Sequence, residues 1–127
     1  MHALPDRKDL GGGDALLQAA LGSMPYGFSI WDEQHRLALY NRHYLEMYGF
    51  ADSQVHIGMT LKALCVITCA IGNHPGYTPE ELCATYLQRM RAASEPGKIV
   101  RSQKAVRGRI FKTTHNRMPG LGWVVTH

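Results

Sequence analysis

The sequence predicts an α+β fold in which helices cover one face of an antiparallel sheet. After a helical stretch near the N-terminus come two short strands, then a run of helices, then three further strands. A chain of 127 residues with 45% apolar content can bury one core. We therefore expect a single domain over residues 14–127, preceded by a flexible, glycine-containing segment at residues 1–13.

The first predicted element is an amphipathic helix over residues 14–24. Asp14 can cap its start, and Leu17, Leu21 and Met24 recur along one side before Pro25 ends it. An apolar stripe of this kind has to be buried, either on the protein's own sheet or against a second subunit. We expect it to contribute to a homodimer interface.

A hairpin follows, and its second strand passes directly into a helix. Two alternating stretches, 28–31 and 37–40, flank a polar turn at 32–35. Asn41 is a good N-cap because its side-chain oxygen can accept a hydrogen bond from a free backbone N–H two or three residues further on. The helix can therefore begin at Asn41 without a loop, and Gly49 supplies a left-handed stop.

Two further helices are predicted in the middle of the chain. One starts near Thr60 and carries apolar side chains at helical spacing up to Ile71. The other starts with a capping box, in which Thr78 and Glu81 flank a proline at the first turn. Its apolar stripe consists of Leu82, Cys83, Tyr86, Leu87 and Met90.

The last third of the chain reads as strands joined by glycine turns. We predict strands at 99–106, 109–118 and 122–127, with turns at Arg107-Gly108 and Pro119-Gly120. This region carries most of the net charge of +4, because residues 98–117 contain seven basic residues and no acidic one. A solvated sheet face explains such a pattern, and no aromatic ladder for stacking bases accompanies it, so we do not expect nucleic-acid binding.

Neither a membrane span nor export is predicted. The longest apolar run, residues 61–72, is well short of the roughly 20 residues that a spanning helix needs. The N-terminus has no signal-peptide core, so the expected location is cytoplasmic. An odd count of three cysteines in such a chain argues for reduced thiols.

Metal and catalytic sites are not predicted either. Cys65, Cys69, His74 and Cys83 are ligand types that zinc prefers, but their spacing is unlike that of compact structural zinc sites. Buried core cysteines are the simpler explanation. The cysteines, histidines and acids form no recognisable catalytic pairing, so we do not expect an enzyme.

Three stretches together resemble a PAS domain of the bacterial sensory kind that is attached to cyclic-di-GMP enzymes and sensor kinases. They are LLQAALGSMPYGFSIWDEQHRLALYNRHYLEMYGF (16–50), TPEELCATYLQRMR (78–91) and GWVVTH (122–127). The resemblance implies a five-stranded antiparallel sheet whose concave face forms, with the helices, a small pocket or a plain core. Family members usually continue past the last strand with an Asp-Ile-Thr-like motif, so the chain is expected to be a sensor module separated from its output domain.

The resemblance also implies a function. A PAS domain is expected to be a non-catalytic regulator that forms a homodimer and controls a C-terminal output domain such as a diguanylate cyclase or a histidine kinase. The resemblance also allows a small-molecule ligand, and the candidate pocket residues are Ile30, Tyr44, Cys65, Leu82, Tyr86 and Trp123. For the tyrosines, core packing is the favoured explanation. The alternatives are a small-ligand-binding protein that acts alone and a basic nucleic-acid-binding adaptor.

No cofactor can be named from the sequence. His43 and His56 do not fall on an apolar helical face, and His74 lies in a segment rich in glycine and proline, so none is a convincing haem ligand. The stretch LCVITCAI, residues 64–71, does not match the motif around the photoactive cysteine of flavin-binding relatives.

Overall fold

The computed structural model describes residues 16, 19–20, 22–95 and 98–127. Within them, five strands are present: β1 (Phe28–Trp31), β2 (Leu37–Tyr40), β3 (Ile99–Val106), β4 (Arg109–Met118) and β5 (Gly122–Thr126). Between β2 and β3 lie the helices α1 (Arg42–Tyr48), α2 (Leu61–Ala70) and α3 (Pro79–Ala92), with a short 3-10 turn at Asp52–Gln54.

The five strands form one antiparallel sheet in the order β2-β1-β5-β4-β3. The last strand therefore lies in the centre, hydrogen-bonded to β1 on one side and to β4 on the other. Because successive side chains of a strand point to opposite faces, one residue in two faces the helices. The predicted α+β class and the five-stranded sheet are confirmed.

The corner at Asn41 forms as its capping chemistry predicts. Its side-chain oxygen accepts hydrogen bonds from the backbone N–H groups of Tyr44 and Phe28, each at 3.1 Å. Its side-chain amide donates to the Tyr26 carbonyl at 3.0 Å. Asn41 is 1% exposed, so one buried side chain caps α1 and also ties it to the start of β1. Gly49 ends the helix at a φ of 72°.

Side-chain caps also start the other two helices where they were predicted. The Thr60 hydroxyl accepts from the Ala63 N–H at the start of α2. Thr78 and Glu81 form a reciprocal capping box at the start of α3. The two helices bury one side each in the core that covers the sheet, through Leu61, Leu64, Cys65 and Thr68 of α2 and Leu82, Tyr86 and Met90 of α3.

Most of the apolar stripe predicted to form a dimer interface lies outside the described residues. Leu17 and Leu21 lie outside the described residues, and Met24 is half-buried in the segment that leads to β1. The role of this stripe in a homodimer remains a prediction. Among the described residues, no helix combines the length and apolar character that crossing a membrane requires.

Candidate ligand-binding site

A small cavity lies between the helices and the inner face of the sheet. Its volume is about 30 Å³. This is enough space for roughly two buried water molecules. A haem or flavin ring system does not fit in such a space. Polar groups from α1, α2, α3, three strands and the residue after β5 reach its wall: Ser29, Tyr44, Tyr48, Thr68, Tyr86, Lys104, His115 and His127.

A chain of hydrogen bonds crosses the cavity from α1 to β1. The Tyr48 hydroxyl lies 2.6 Å from Nδ1 of His127, the residue that follows β5. Nε2 of the same ring lies 3.3 Å from the Ser29 hydroxyl, which accepts a hydrogen bond from the Trp31 indole N–H at 3.0 Å. Both ring nitrogens of His127 thus have partners, and the ring is held between the helix layer and the sheet.

The amino group of Lys104 enters this core from β3. It donates to the Tyr86 hydroxyl at 2.8 Å, and Nζ lies 4.8 Å and 4.7 Å from the ring centres of Tyr48 and Tyr86. No acidic side chain lines the cavity or forms an ion pair with Lys104 among the described residues. Burial, reinforced by the nearby charge of Arg89, lowers the pKa of Lys104 to about 7.

Two buried histidines share this surrounding. Burial, together with the nearby charges of Arg89 and Lys104, lowers the pKa of His115 to about 4. Burial also holds the pKa of His127 well below the usual imidazole range. Both rings are therefore neutral at pH 7, and Nδ1 of His115 has no hydrogen-bond partner among the described groups.

A larger hollow lies on the outer side of Lys104 and Tyr86. This outer groove has a volume of about 370 Å³ and runs between α3, β3 and the loop at residues 74–77. Lys104 and Tyr86 line both spaces, so these two side chains form the partition between the groove and the core cavity.

The PAS family model, described as the PAS fold, matches residues 21–127. The chain belongs to the PAS family. Members of this family are generally sensory or regulatory modules, and the resemblance noted in the sequence is confirmed. No curated protein matches the chain significantly.

Solved PAS domains share its fold. The chain is similar to the PAS domain of BvgS from Bordetella pertussis, at 19% sequence identity and a TM-score of 0.53, over 88% of this chain and 81% of that one. It is also similar to the PAS domain of an HTR-like protein from Haloarcula marismortui, at 14% identity and a TM-score of 0.50, over 94% of this chain and 92% of that one. At these identities the similarity shows the fold alone.

The six candidate pocket residues do not converge on one site in this PAS domain. Tyr44 and Tyr86 line the core cavity, and Leu82 lines the outer groove with Tyr86. Cys65 is fully buried in the core near both tyrosines, and burial raises the pKa of its thiol. No group of three or more possible metal ligands occurs in the described part of the chain.

The remaining two candidates lie away from the cavity. Trp123 is buried beside α3, where its indole N–H donates to the Met90 carbonyl at 2.9 Å. Ile30 sits between Ser29 and Trp31, which both line the cavity, so the alternation of the strand turns Ile30 to the opposite face of the sheet.

Sequence reasoning missed Ser29, Tyr48 and His127 as site residues, and it also missed Lys104 in the basic strand segment. We expected this segment to be a solvated face, which holds for Arg101 and Lys112, but Lys104 points inward. Arg117 is also largely covered, since it pairs with Glu33 and lies 4.4 Å from the centre of the Trp123 ring system. The available signal was the period of two in β3, which puts Lys104 on the same face as Val106, a fully buried residue.

Proposed function

We propose that this PAS domain is a non-catalytic sensory module that perceives a signal beside its core and transmits it through β5 to an attached output domain. A diguanylate cyclase or a histidine kinase is the kind of output domain proposed. The observation that carries the proposal is the hydrogen bond between Tyr48 and His127, because it links the core cavity to the end of the central strand.

The transmission step follows from where the partners lie. Nζ of Lys104 rests on the Tyr48 ring, and the hydroxyl of Tyr48 holds His127. A signal that displaces Lys104 changes the surroundings of Tyr48. Because Tyr48 holds His127, the direction in which the chain continues after β5 changes as well. The energetic requirement is that the signal binds one arrangement better than the other.

The chemistry of the core favours regulation over catalysis. The Ser29 and His127 side chains are adjacent, as in a nucleophile and base pair, but Ser29 is 1% exposed and already bonded to Trp31. A substrate cannot reach a hydroxyl buried in this way. We include a cytoplasmic location in the proposal, as expected from the sequence.

Homodimer formation through the N-terminal stripe is part of the same proposal. The apolar stripe of Leu17, Leu21 and Met24 in the sequence supports it, because such a stripe has to be buried against some surface. Light scattering of the chain with and without residues 1–24 tests it. Equal monomer masses for the two proteins would contradict it.

A chimera tests signal transmission. A diguanylate cyclase domain is joined after His127, and cyclase activity is compared between the unmodified sensor and its Tyr48→Phe variant. We expect the substitution to change the activity, because it removes the hydroxyl that holds His127. The exposed Tyr26 supplies the matched control, since Tyr26→Phe deletes the same atom outside both the core and the outer groove. Identical activity in all three chimeras contradicts the proposal.

A small-ligand-binding protein that acts alone is the second candidate, and the outer groove is the observation that favours it. It predicts ligand binding with no effect of that ligand on the chimera. Ligand-dependent cyclase activity contradicts it.

A further inference from the structure

The outer groove is large enough for a small molecule, whereas the core cavity is not. Its volume of about 370 Å³ lies within the range of roughly 300–1,000 Å³ that is usual for small-molecule sites. The groove also opens beside the partition formed by Lys104 and Tyr86. An occupant would therefore touch Lys104, whose amino group reaches into the core.

The charge of the groove is one-sided. Arg89 reaches it from α3 and Lys104 from β3, and no acidic side chain belongs to its wall among the described residues. Lys104 has its amino group buried without a carboxylate partner, an arrangement that destabilises the cation until an anion is supplied. The site is thus complementary to a negatively charged occupant.

A third polar group is available in the same wall. His74 lies in the loop before α3, is 6% exposed, and lines the groove. Its Nε2 atom is buried and has no hydrogen-bond partner among the described groups. A buried ring nitrogen without a partner is unfavourable, and a ligand acceptor would satisfy it when the neutral ring carries its proton there.

The other walls are flat and largely apolar. Tyr77 and Tyr86 present aromatic rings, and Pro75 and Leu82 add aliphatic surface. Tyr77 is 51% exposed, so its ring is available to a ligand at the entrance. Aromatic walls favour a planar apolar body, since stacking and area burial act together.

We propose that the outer groove binds a small molecule with a flat apolar body and one carboxylate, and that the carboxylate lies between Arg89 and Lys104 with His74 as a further donor. This inference rests on the proposed sensory function and deepens it by naming the ligand class. A carboxylate at Lys104 competes with Tyr86 and the tyrosine rings for the amino group, so ligand binding and the arrangement of the core are coupled.

Titration calorimetry on this chain tests the proposal with 2-naphthoate as the probe. The matched uncharged probe is 2-naphthamide, and inorganic phosphate supplies an anion without an apolar body. We expect one-to-one binding of 2-naphthoate with a Kd below about 1 mM. Because charge-assisted hydrogen bonds are the stronger ones, we expect 2-naphthamide to bind at least about tenfold more weakly. We expect no measurable binding of phosphate at the same concentrations.

Variants with matched controls locate the charge. Arg89→Gln and Lys104→Met should each weaken 2-naphthoate binding by about tenfold. Arg101→Gln and Lys112→Met remove the same charges from exposed positions of β3 and β4 and should leave the Kd unchanged. Melting curves verify that each variant is folded. In nuclear magnetic resonance spectra, the largest amide shifts on 2-naphthoate addition should fall in residues 74–77 and 103–105.

Each contrary result overturns a defined part. Absence of 2-naphthoate binding by the folded wild-type chain, or shifts centred elsewhere, overturns the site. If 2-naphthamide binds as tightly as 2-naphthoate, the ligand does not need a carboxylate, and that part of the proposal is wrong. If phosphate binds as tightly, the ligand does not need a flat apolar body. The cyclase chimera provides a separate readout. If 2-naphthoate binds but the Tyr48→Phe chimera has unchanged activity, the site stands and the sensory function is contradicted. If 2-naphthoate does not bind but the Tyr48→Phe chimera has altered activity, the sensory function stands and the site is contradicted.

Discussion

Tyr48 and His127 are 79 residues apart in the sequence, yet the phenol oxygen of one lies 2.6 Å from Nδ1 of the other inside the core. Both residues are held by further contacts. Asn73 donates to the Tyr48 carbonyl at 2.7 Å, and Ser29 contacts the second nitrogen of His127. The link between α1 and the end of β5 is therefore a fixed part of the fold, and its loss has measurable consequences.

Tyr48→Phe should lower the free energy of unfolding by about 1–3 kcal/mol. The substitution leaves Nδ1 of His127 buried without its partner, while the aromatic packing of the ring is kept. Denaturant titration at pH 7 measures the change. The exposed Tyr77 serves as the control, and Tyr77→Phe should shift stability by less than about 0.5 kcal/mol. Equal effects of the two substitutions would contradict this role of the Tyr48 hydroxyl.

Lys104→Met should stabilise the domain at pH 7 by about 1 kcal/mol, because it removes a buried amino group that has no carboxylate partner. The pKa of Lys104 is about 7 in the folded state, against about 10.4 in an unfolded chain. Between these values the unfolded state binds more protons, so the wild type gains stability as pH rises. The advantage of the variant should thus be complete below pH 7 and shrink towards pH 10. Lys112→Met is the exposed control, and a loss of stability in Lys104→Met alone would refute the prediction.

Acid should destabilise the domain as pH falls below about 6.5, the ordinary histidine value. The pKa values of His74 and His115 are lowered to about 4, and that of His127 is also lowered, so the unfolded state takes up protons that the folded state does not. Each such group contributes up to about 1.4 kcal/mol per pH unit between its two pKa values. The charged or titratable groups around these rings are Arg89, Lys104, Tyr44, Tyr48 and Tyr86.

A variant isolates one of these histidines. His115→Leu should flatten the loss of stability between pH 6.5 and 4, since its ring then no longer titrates. His56 is exposed, and His56→Leu should leave the slope unchanged. Chemical denaturation at a series of pH values gives both slopes. A slope that is the same in wild type and His115→Leu would show that this ring does not contribute.

Asn41→Ala should lower the free energy of unfolding by about 2–3 kcal/mol, more than the loss of a helix cap alone. The reason is that the same buried side chain also bonds to the backbone of Phe28 and Tyr26. Thr60→Ala removes a cap without such long-range contacts, and its effect should be near 1 kcal/mol. If the two losses prove equal, the contacts of Asn41 to β1 contribute nothing.

Gly122→Ala should strongly destabilise or unfold the chain. At the start of β5 this glycine has a φ of 129°, and a Cβ atom there would overlap the Trp31 carbonyl oxygen. Gly120 has a φ of 77° but open space around it, so Gly120→Ala should lose only about 1 kcal/mol. Thermal melting compares the two variants. A Gly122→Ala protein that melts with the Gly120→Ala variant would contradict the close approach of β5 to β1.

The parts of the fold that depend on local chemistry were predictable from the sequence. Asn41 and Gly49 bound α1 as expected, and Thr78 with Glu81 starts α3, because a cap needs partners only three or four residues away. The strand order was not accessible from such signals, and the five-stranded sheet followed from family resemblance.

The site was harder to predict from the sequence, because the contacts that form it join residues far apart in the chain. Lys104 stands among basic residues that face solvent, and nothing local shows that Tyr86 of α3 and Tyr48 of α1 will cover it. Ile30 was predicted to face the pocket but lies on the opposite face of the sheet. Its apolar character alone does not indicate which face of a strand it occupies.

The chain contains two tryptophans, and they are register neighbours: Trp31 of β1 lies opposite Trp123 of β5. One is bonded to Ser29 beside the core cavity, and the other lies under Arg117 and is bonded to the last turn of α3. Tryptophan fluorescence of the protein therefore originates entirely at the contact between β1 and β5. Quenching or a spectral shift of this emission provides a label-free optical reporter of movement at that contact.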